Sequence, residues 1–197
     1  MVNPESPESL IPRRVREERL QRRWTLEQLA ERAGVSRAMI SKIERGESSP
    51  TAVLLARLGA AMGVSLSSLM SAPRAATPAL RRVGEQPVWV DPETGYVRRL
   101  VSPTGGEGDV EVVAIELPAG QAVTFSPSAS LRSDEQVLLL EGALTLDSGG
   151  VRFELRPGDC ARLDADREHA FRNEGFAMAR YLVVKRHDTS TTGTSTS

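Results

Sequence analysis

The chain of 197 residues has a single cysteine, Cys160, and only two histidines, His169 and His187. One cysteine excludes an intrachain disulfide and suits a reducing cytosol. No apolar run approaches the roughly 20 residues that a membrane-spanning helix needs. The opening stretch MVNPESPESL is acidic and polar, unlike a secretory signal. These absences lead us to expect a cytoplasmic protein with no membrane partner. With 40% hydrophobic and 26% charged residues, the composition is that of an ordinary globular protein. The length allows one large domain or two small ones.

What is present is unevenly spread. The net charge is only -1, but Arg13 to Glu47 holds ten Lys/Arg against six Glu, a balance of +4. Glu85 to Arg186 holds eleven Lys/Arg against seventeen Asp/Glu, a balance of -6. A basic module joined to an acidic one suggests that only the first half meets a polyanion. Residues 1–10 read as a disordered N-terminus, and 11–71 as short helical blocks. Residues 72–87, with three prolines, read as a linker that could be rigid or loose. From Val88 come short β-rich runs such as VEVVAIELPAG, VRFELRPGDCARL and AMARYLVVK. Gly, Pro and Asp break them, which suits an all-β barrel or sandwich over 88–186. Residues 187–197, which include His187, read as a disordered tail.

Within the helical half, Thr25 and Gln28 have capping-box spacing, which starts a helix at Leu26. Leu29, Ala30 and Ala33 give that helix an inward stripe, and Gly34 ends it in a tight turn. Ser36 caps a second helix running to about Glu44. At about 100° per residue, Met39, Ile40 and Ile43 fall on its packing side. Arg37, Ala38, Ser41, Lys42 and Arg45 fall on the other side. Two short helices with a tight turn, the second presenting a polar N-terminal face, describe a major-groove reader.

The stretch LEQLAERAGVSRAMISKIERGESSPT resembles the Cro/phage-repressor helix-turn-helix of the XRE family. VREERL resembles that family's first helix, and AVLLARLGAAMGVSLSSLM its fourth and fifth. The resemblance implies an all-α, five-helix, lambda-repressor-like DNA-binding domain. It implies base contacts from Arg37, Ala38, Ser41 and Lys42. Arg37 or Lys42 would pair with guanine, and Ala38 would meet a thymine methyl. It implies phosphate contacts from Thr25, Gln28, Ser36, Arg45 and Ser48, with Gln28 serving equally well as a helix cap. Arg19 and Glu44 match a structural ion pair of that fold.

In the β half, EQVLLLEGALTLDSG alternates weakly and reads as strand buried on both faces or lining a filled barrel. Glu135 to Gly142 resembles the E-x6-G end of the first cupin motif. Pro157-Gly158-Asp159, His169 and Asn173 resemble the second motif. The resemblance implies a jelly-roll-like cupin barrel. Cupins commonly hold a metal with three His and one Glu, but Ser128-Ala129-Ser130-Leu131 stands where the paired histidines belong. Ser and Ala are poor metal ligands, so no metal or other cofactor is expected. Cys160 reads as a buried structural cysteine.

A barrel without its metal still has a cavity. We expect Phe125, Arg132, Glu135, Leu139, His169, Asn173 and Tyr181 to line a small-molecule site. In a closed core, His169 and Glu135 would instead satisfy each other. The leading expectation is a homodimeric transcriptional regulator that binds a double-stranded DNA operator and a small-molecule effector, and is not an enzyme. The alternatives are a metal-free isomerase or lyase using His169 and Glu135 as acid and base, or a constitutive repressor with an empty barrel.

Overall fold

A computed structural model describes residues 6–71, 79–103, 110–127 and 133–187. Five helices come first: α1 Pro7–Gln21, α2 Leu26–Ala33, α3 Arg37–Glu44, α4 Ala52–Met62 and α5 Leu66–Leu69. Helix α1 starts at Pro7, so the expected disordered stretch through residue 10 is corrected. Pro7 sits in the first helical turn, where its missing N–H costs nothing, and Leu10, Ile11 and Val15 are buried.

Local chemistry sets the next boundaries. Thr25 and Gln28 form the expected reciprocal capping box, and Gly34 closes α2 in the left-handed region at φ 61°. The Ser36 hydroxyl accepts from the Met39 N–H at 3.2 Å and starts α3. Met39 is 36% exposed, however, so it borders the packing side that Ile40 and Ile43 fill.

Among the described residues the β half has ten antiparallel strands in two sheets. The larger has the order β1 (Val88–Val90), β2 (Val97–Leu100), β3 (Val110–Leu117), β10 (Ala179–His187), β5 (Ser133–Glu141) and β8 (Cys160–Leu163). The smaller has the order β4 (Ala122–Phe125), β9 (His169–Arg172), β6 (Leu144–Ser148) and β7 (Val151–Leu155). Among the described residues no ladder joins the two sheets, so the expected barrel is not closed. Strand β10 carries the backbone through His187, one residue into the expected tail.

Strand β5 follows the second of the two expected readings, with one face turned to the interior. Glu135, Val137 and Leu139 are buried while Gln136 and Leu140 are exposed, so one face packs rather than both. Strand β6 has four of its five positions buried. Gly142 follows β5 at φ 82°, and a β-carbon there would lie 2.6 Å from the Met178 carbonyl. The close approach explains the glycine that ends the E-x6-G spacing. Cys160 is exposed rather than buried, because β8 is an edge strand and Cys160 points off its packed face.

The two halves share one apolar core. Two buried polar anchors dock them. Asp91, between β1 and β2, accepts from the Ala52 N–H at the start of α4. Glu111 on β3 accepts from Ser67 of α5 at 2.7 Å and pairs with Arg98 of β2 at 3.1 Å. The connection left open by the prolines therefore ends in packed domains, although residues 72–78 lie outside the described residues.

Candidate DNA-reading face and interdomain cavity

Helix α3 is held to the bundle by Ile40 and Ile43, both fully buried, and leaves Arg37, Ala38 and Lys42 exposed. Its orientation is fixed from behind by a two-pronged ion pair. Arg19 Nε and Nη2 each lie 2.7 Å from a Glu44 carboxylate oxygen, and Arg19 Nη1 donates to the Trp24 carbonyl at 2.8 Å. Burial opposes the Arg19 charge, but the hydrogen bond to Glu44 outweighs it and raises the guanidinium pKa. This is the ion pair that the family resemblance implied.

Several expected contact residues already have partners within the chain. Arg37 Nε lies 2.5 Å from Glu27 Oε1, and both side chains are about two-thirds exposed, at 66% and 63%. An exposed pair of this kind is weak and exchanges easily for another partner. Arg45 holds Glu47 at 2.6 and 2.7 Å and also meets the Ser41 hydroxyl. The Ser48 hydroxyl donates to Met39 Sδ at 3.8 Å. Gln28 Oε1 accepts from the Thr25 N–H at 2.9 Å, so its oxygen serves as the cap. The Ser36 and Thr25 hydroxyls accept at their helix starts, and an O–H can still donate outward. Sequence reasoning missed Glu27; its place on the first turn of α2, opposite the N-terminus of α3, is a tertiary relationship.

In the cupin half, the strand register sets three charges in a row across neighbouring strands. Lys185 on β10 is paired in register with Glu111 on β3 and Glu135 on β5. Lys185 Nζ lies 2.9 Å from Glu135 Oε1. Across from this row, the His169 ring stacks on Phe125 at 5.4 Å and meets Phe171 edge-on at 5.9 Å. His169 Nδ1 lies 3.1 Å from the Arg167 carbonyl, to which the Nδ1–H tautomer donates. Burial is the main cause that lowers the His169 pKa, working against the backbone bond and the Glu135 charge.

These side chains surround a cavity of about 120 Å³. From the cupin half, Tyr96, Arg98, Phe125, Glu135, His169 and Lys185 line it, with Phe171 and Val183. From the helical half, Ala56, Arg57, Ala60, Val64, Ser65 and Leu66 line it. Of the expected pocket residues, Phe125, Glu135 and His169 come together here.

Three do not reach the cavity wall. Leu139 is fully buried in the core. Tyr181 is fully buried, stacked on Phe171 at 5.3 Å, and desolvation holds its phenol well above the usual tyrosine range. The Asn173 amide donates to the Leu117 and Ala177 carbonyls, both at 2.8 Å, and its oxygen accepts from the Gly175 N–H. Asn173 therefore ties a turn. Arg132 lies outside the described residues.

Tyr96, Arg98 and Lys185 were missed. Strand parity was a usable signal for Arg98, which shares the buried face of β2 with Leu100. Among the described residues no group of three His, Cys, Asp or Glu is placed to hold a metal ion. No described helix is long and apolar enough to cross a membrane.

Comparison with known proteins agrees with both halves. A helix-turn-helix family profile matches residues 15–69, and a cupin domain profile matches residues 115–185. Over 157 residues the chain is 33% identical to the HTH-type transcriptional regulator SutR of Escherichia coli K12, covering 80% of this chain and 83% of that protein. The fold is similar to the crystal structure of an HTH_3 family transcriptional regulator from Vibrio cholerae. That likeness has a TM-score of 0.74 at 24% identity, over 91% of this chain and 96% of that one. The chain belongs to the HTH-type transcriptional regulators of the XRE family, with a DNA-binding helix-turn-helix domain followed by a cupin domain.

Proposed function

We propose that this regulator reads its operator as a homodimer through α3 and senses a small molecule in the cupin cavity without a metal and without catalysis. Arg37, Ala38, Ser41 and Lys42 read base edges, while Ser36, Thr25, Arg45, Ser48 and the Gln28 amide position the backbone. Two-fold pairing would set the two copies of α3 about 34 Å apart, one DNA turn, on a pseudo-palindrome.

The observation that carries the sensing reading is the cavity, in which a few polar groups converge on an aromatic and aliphatic wall. The cupin metal does not fit here. The Lys185 ammonium already occupies Glu135, and the donor set has one imidazole where a cupin offers three. Lys185 supplies the positive charge that a metal supplies elsewhere, so Glu135 needs no ion to be neutralised. The same ammonium sits on the oxygen that an acid–base role for Glu135 would use.

The test is a reporter driven by a promoter found by genome-wide footprinting of the protein. Val183→Phe, which fills the cavity from the cupin side, is expected to abolish the reporter's response to growth condition while operator binding persists. A reporter response unchanged by Val183→Phe would overturn the sensing reading. Metal analysis of purified protein is expected to find no stoichiometric ion; near-stoichiometric iron would overturn the metal-free reading.

A further inference from the structure

The cavity is not confined to the cupin domain, because the helical domain closes one side of it through α4 and α5. Resting on the sensing reading above, we propose that its occupant is a small carboxylate, bound by Arg98 and clamped between α4 and the two cupin sheets. Such a ligand touches both domains at once.

Arg98 is 5% exposed and lines the cavity. Its Nη2 donates to Ser67 at 3.0 Å and Glu111 at 3.1 Å, while its Nε has no hydrogen-bond partner among the described residues. A buried guanidinium N–H without an acceptor is costly, and a carboxylate oxygen is the acceptor that suits it best. Arg57, Arg98 and Lys185 line the cavity against one lining carboxylate, Glu135. Counting Glu111 behind Arg98 leaves one cation in excess, the Arg57 guanidinium, which is exposed and keeps its water until a ligand arrives. An anionic ligand would pair with that excess on binding, whereas a cationic one would be repelled by it.

The rest of the wall sets the ligand's body. Phe125, Phe171 and Val183 face Ala56 and Ala60 across about 120 Å³. This suits a compact acid with an apolar or aromatic body rather than a sugar or a nucleotide.

The site also explains how an occupant would be felt by the DNA-reading face. Arg57 lines the cavity from α4, and its Nη2 lies 2.7 Å from where a β-carbon on Gly34 would be. Gly34 is the turn between α2 and α3. A ligand that binds both walls favours the docked arrangement over one in which α4 lifts away, so it shifts that equilibrium. The coupling runs from the ligand through α4 to the Gly34 turn.

The experiment titrates the full chain with acetate and benzoate, with benzamide as the uncharged match for benzoate, by calorimetry and thermal shift. Benzoate is expected to bind and raise the thermal midpoint, and benzamide to bind at least tenfold more weakly. Arg98→Gln is expected to remove that preference. Because Arg98 is also a docking anchor and its loss can unfold the protein, Ala60→Phe is the second variant. It fills the helical side, removes no charge, and is expected to abolish benzoate binding in protein with an unchanged circular dichroism spectrum. Equal affinity for benzoate and benzamide overturns the proposal, as does benzoate binding untouched by Ala60→Phe. Either result leaves the cupin cavity itself standing as a sensor. No binding of acetate or benzoate at millimolar concentration also overturns it; only loss of the Val183→Phe reporter effect as well would remove the sensing reading.

Discussion

The Asp91 carboxylate accepts a hydrogen bond from the Ala52 backbone N–H at 2.5 Å, so a residue of the cupin half caps a helix of the DNA-binding half. It also accepts from the Glu93 and Thr94 N–H groups at 2.8 and 3.0 Å, and it is 2% exposed. A negative charge at a helix N-terminus is favourable, and three donors would lose their acceptor together. Asp91→Ala is expected to destabilise the protein by about 2 kcal/mol in urea unfolding, with Asp91→Asn falling between it and wild type. If both variants match wild type, the docking contact contributes nothing.

Glu44 pairs with Arg19 where both side chains are nearly buried, at 7% and 11% exposed. Removing one partner of a buried pair leaves the other charge uncompensated. Glu44→Ala is expected to cost about 3 kcal/mol, the low end for a buried pair because Arg19 keeps some exposure. Replacing both residues together with Leu and Met is expected to cost less than Glu44→Ala alone. Chemical denaturation of both variants checks this ordering.

How much of this was legible depended on whether the physics was local. The α2–α3 unit was readable to the residue because Thr25, Gln28, Gly34 and Ser36 are caps whose partners lie within a few positions. The start of α1 was not, because the polar, proline-bearing run to Leu10 looked unstructured until Leu10 found a core to join. In β5 the run Val137 to Leu140 hid the alternation, since four apolar residues in a row mask which face packs. Asn173 matched a cupin motif and so looked like pocket, yet its amide is consumed by two carbonyls. The docking of the domains left no local pattern. Ser67 and Glu111 are 44 residues apart, and nothing in either neighbourhood names the other.

His169 gives a pH dependence of definite sign. Burial lowers its folded pKa below the unfolded value of about 6.5, so below that value the unfolded chain takes up a proton first. The stability attached to neutral His169 is therefore fully present above pH about 6.5 and falls as the pH drops toward the lowered folded pKa. Thermal midpoints at pH 7.5 and 5.5 are expected to differ more in wild type than in His169→Gln. Equal differences in the two proteins would show that burial of His169 carries no such linkage.

The central claim is that the exposed face of α3 reads DNA sequence, and Arg37 tests it most directly. Footprinting and binding titrations would compare wild type with Arg37→Ala on operator half-sites varied one base pair at a time. Arg37→Ala is expected to lose about 1–3 kcal/mol and its discrimination at one position per half-site, while salt-dependent binding to unrelated DNA persists. A variant that protects the same sites with wild-type affinity and selectivity would contradict that claim.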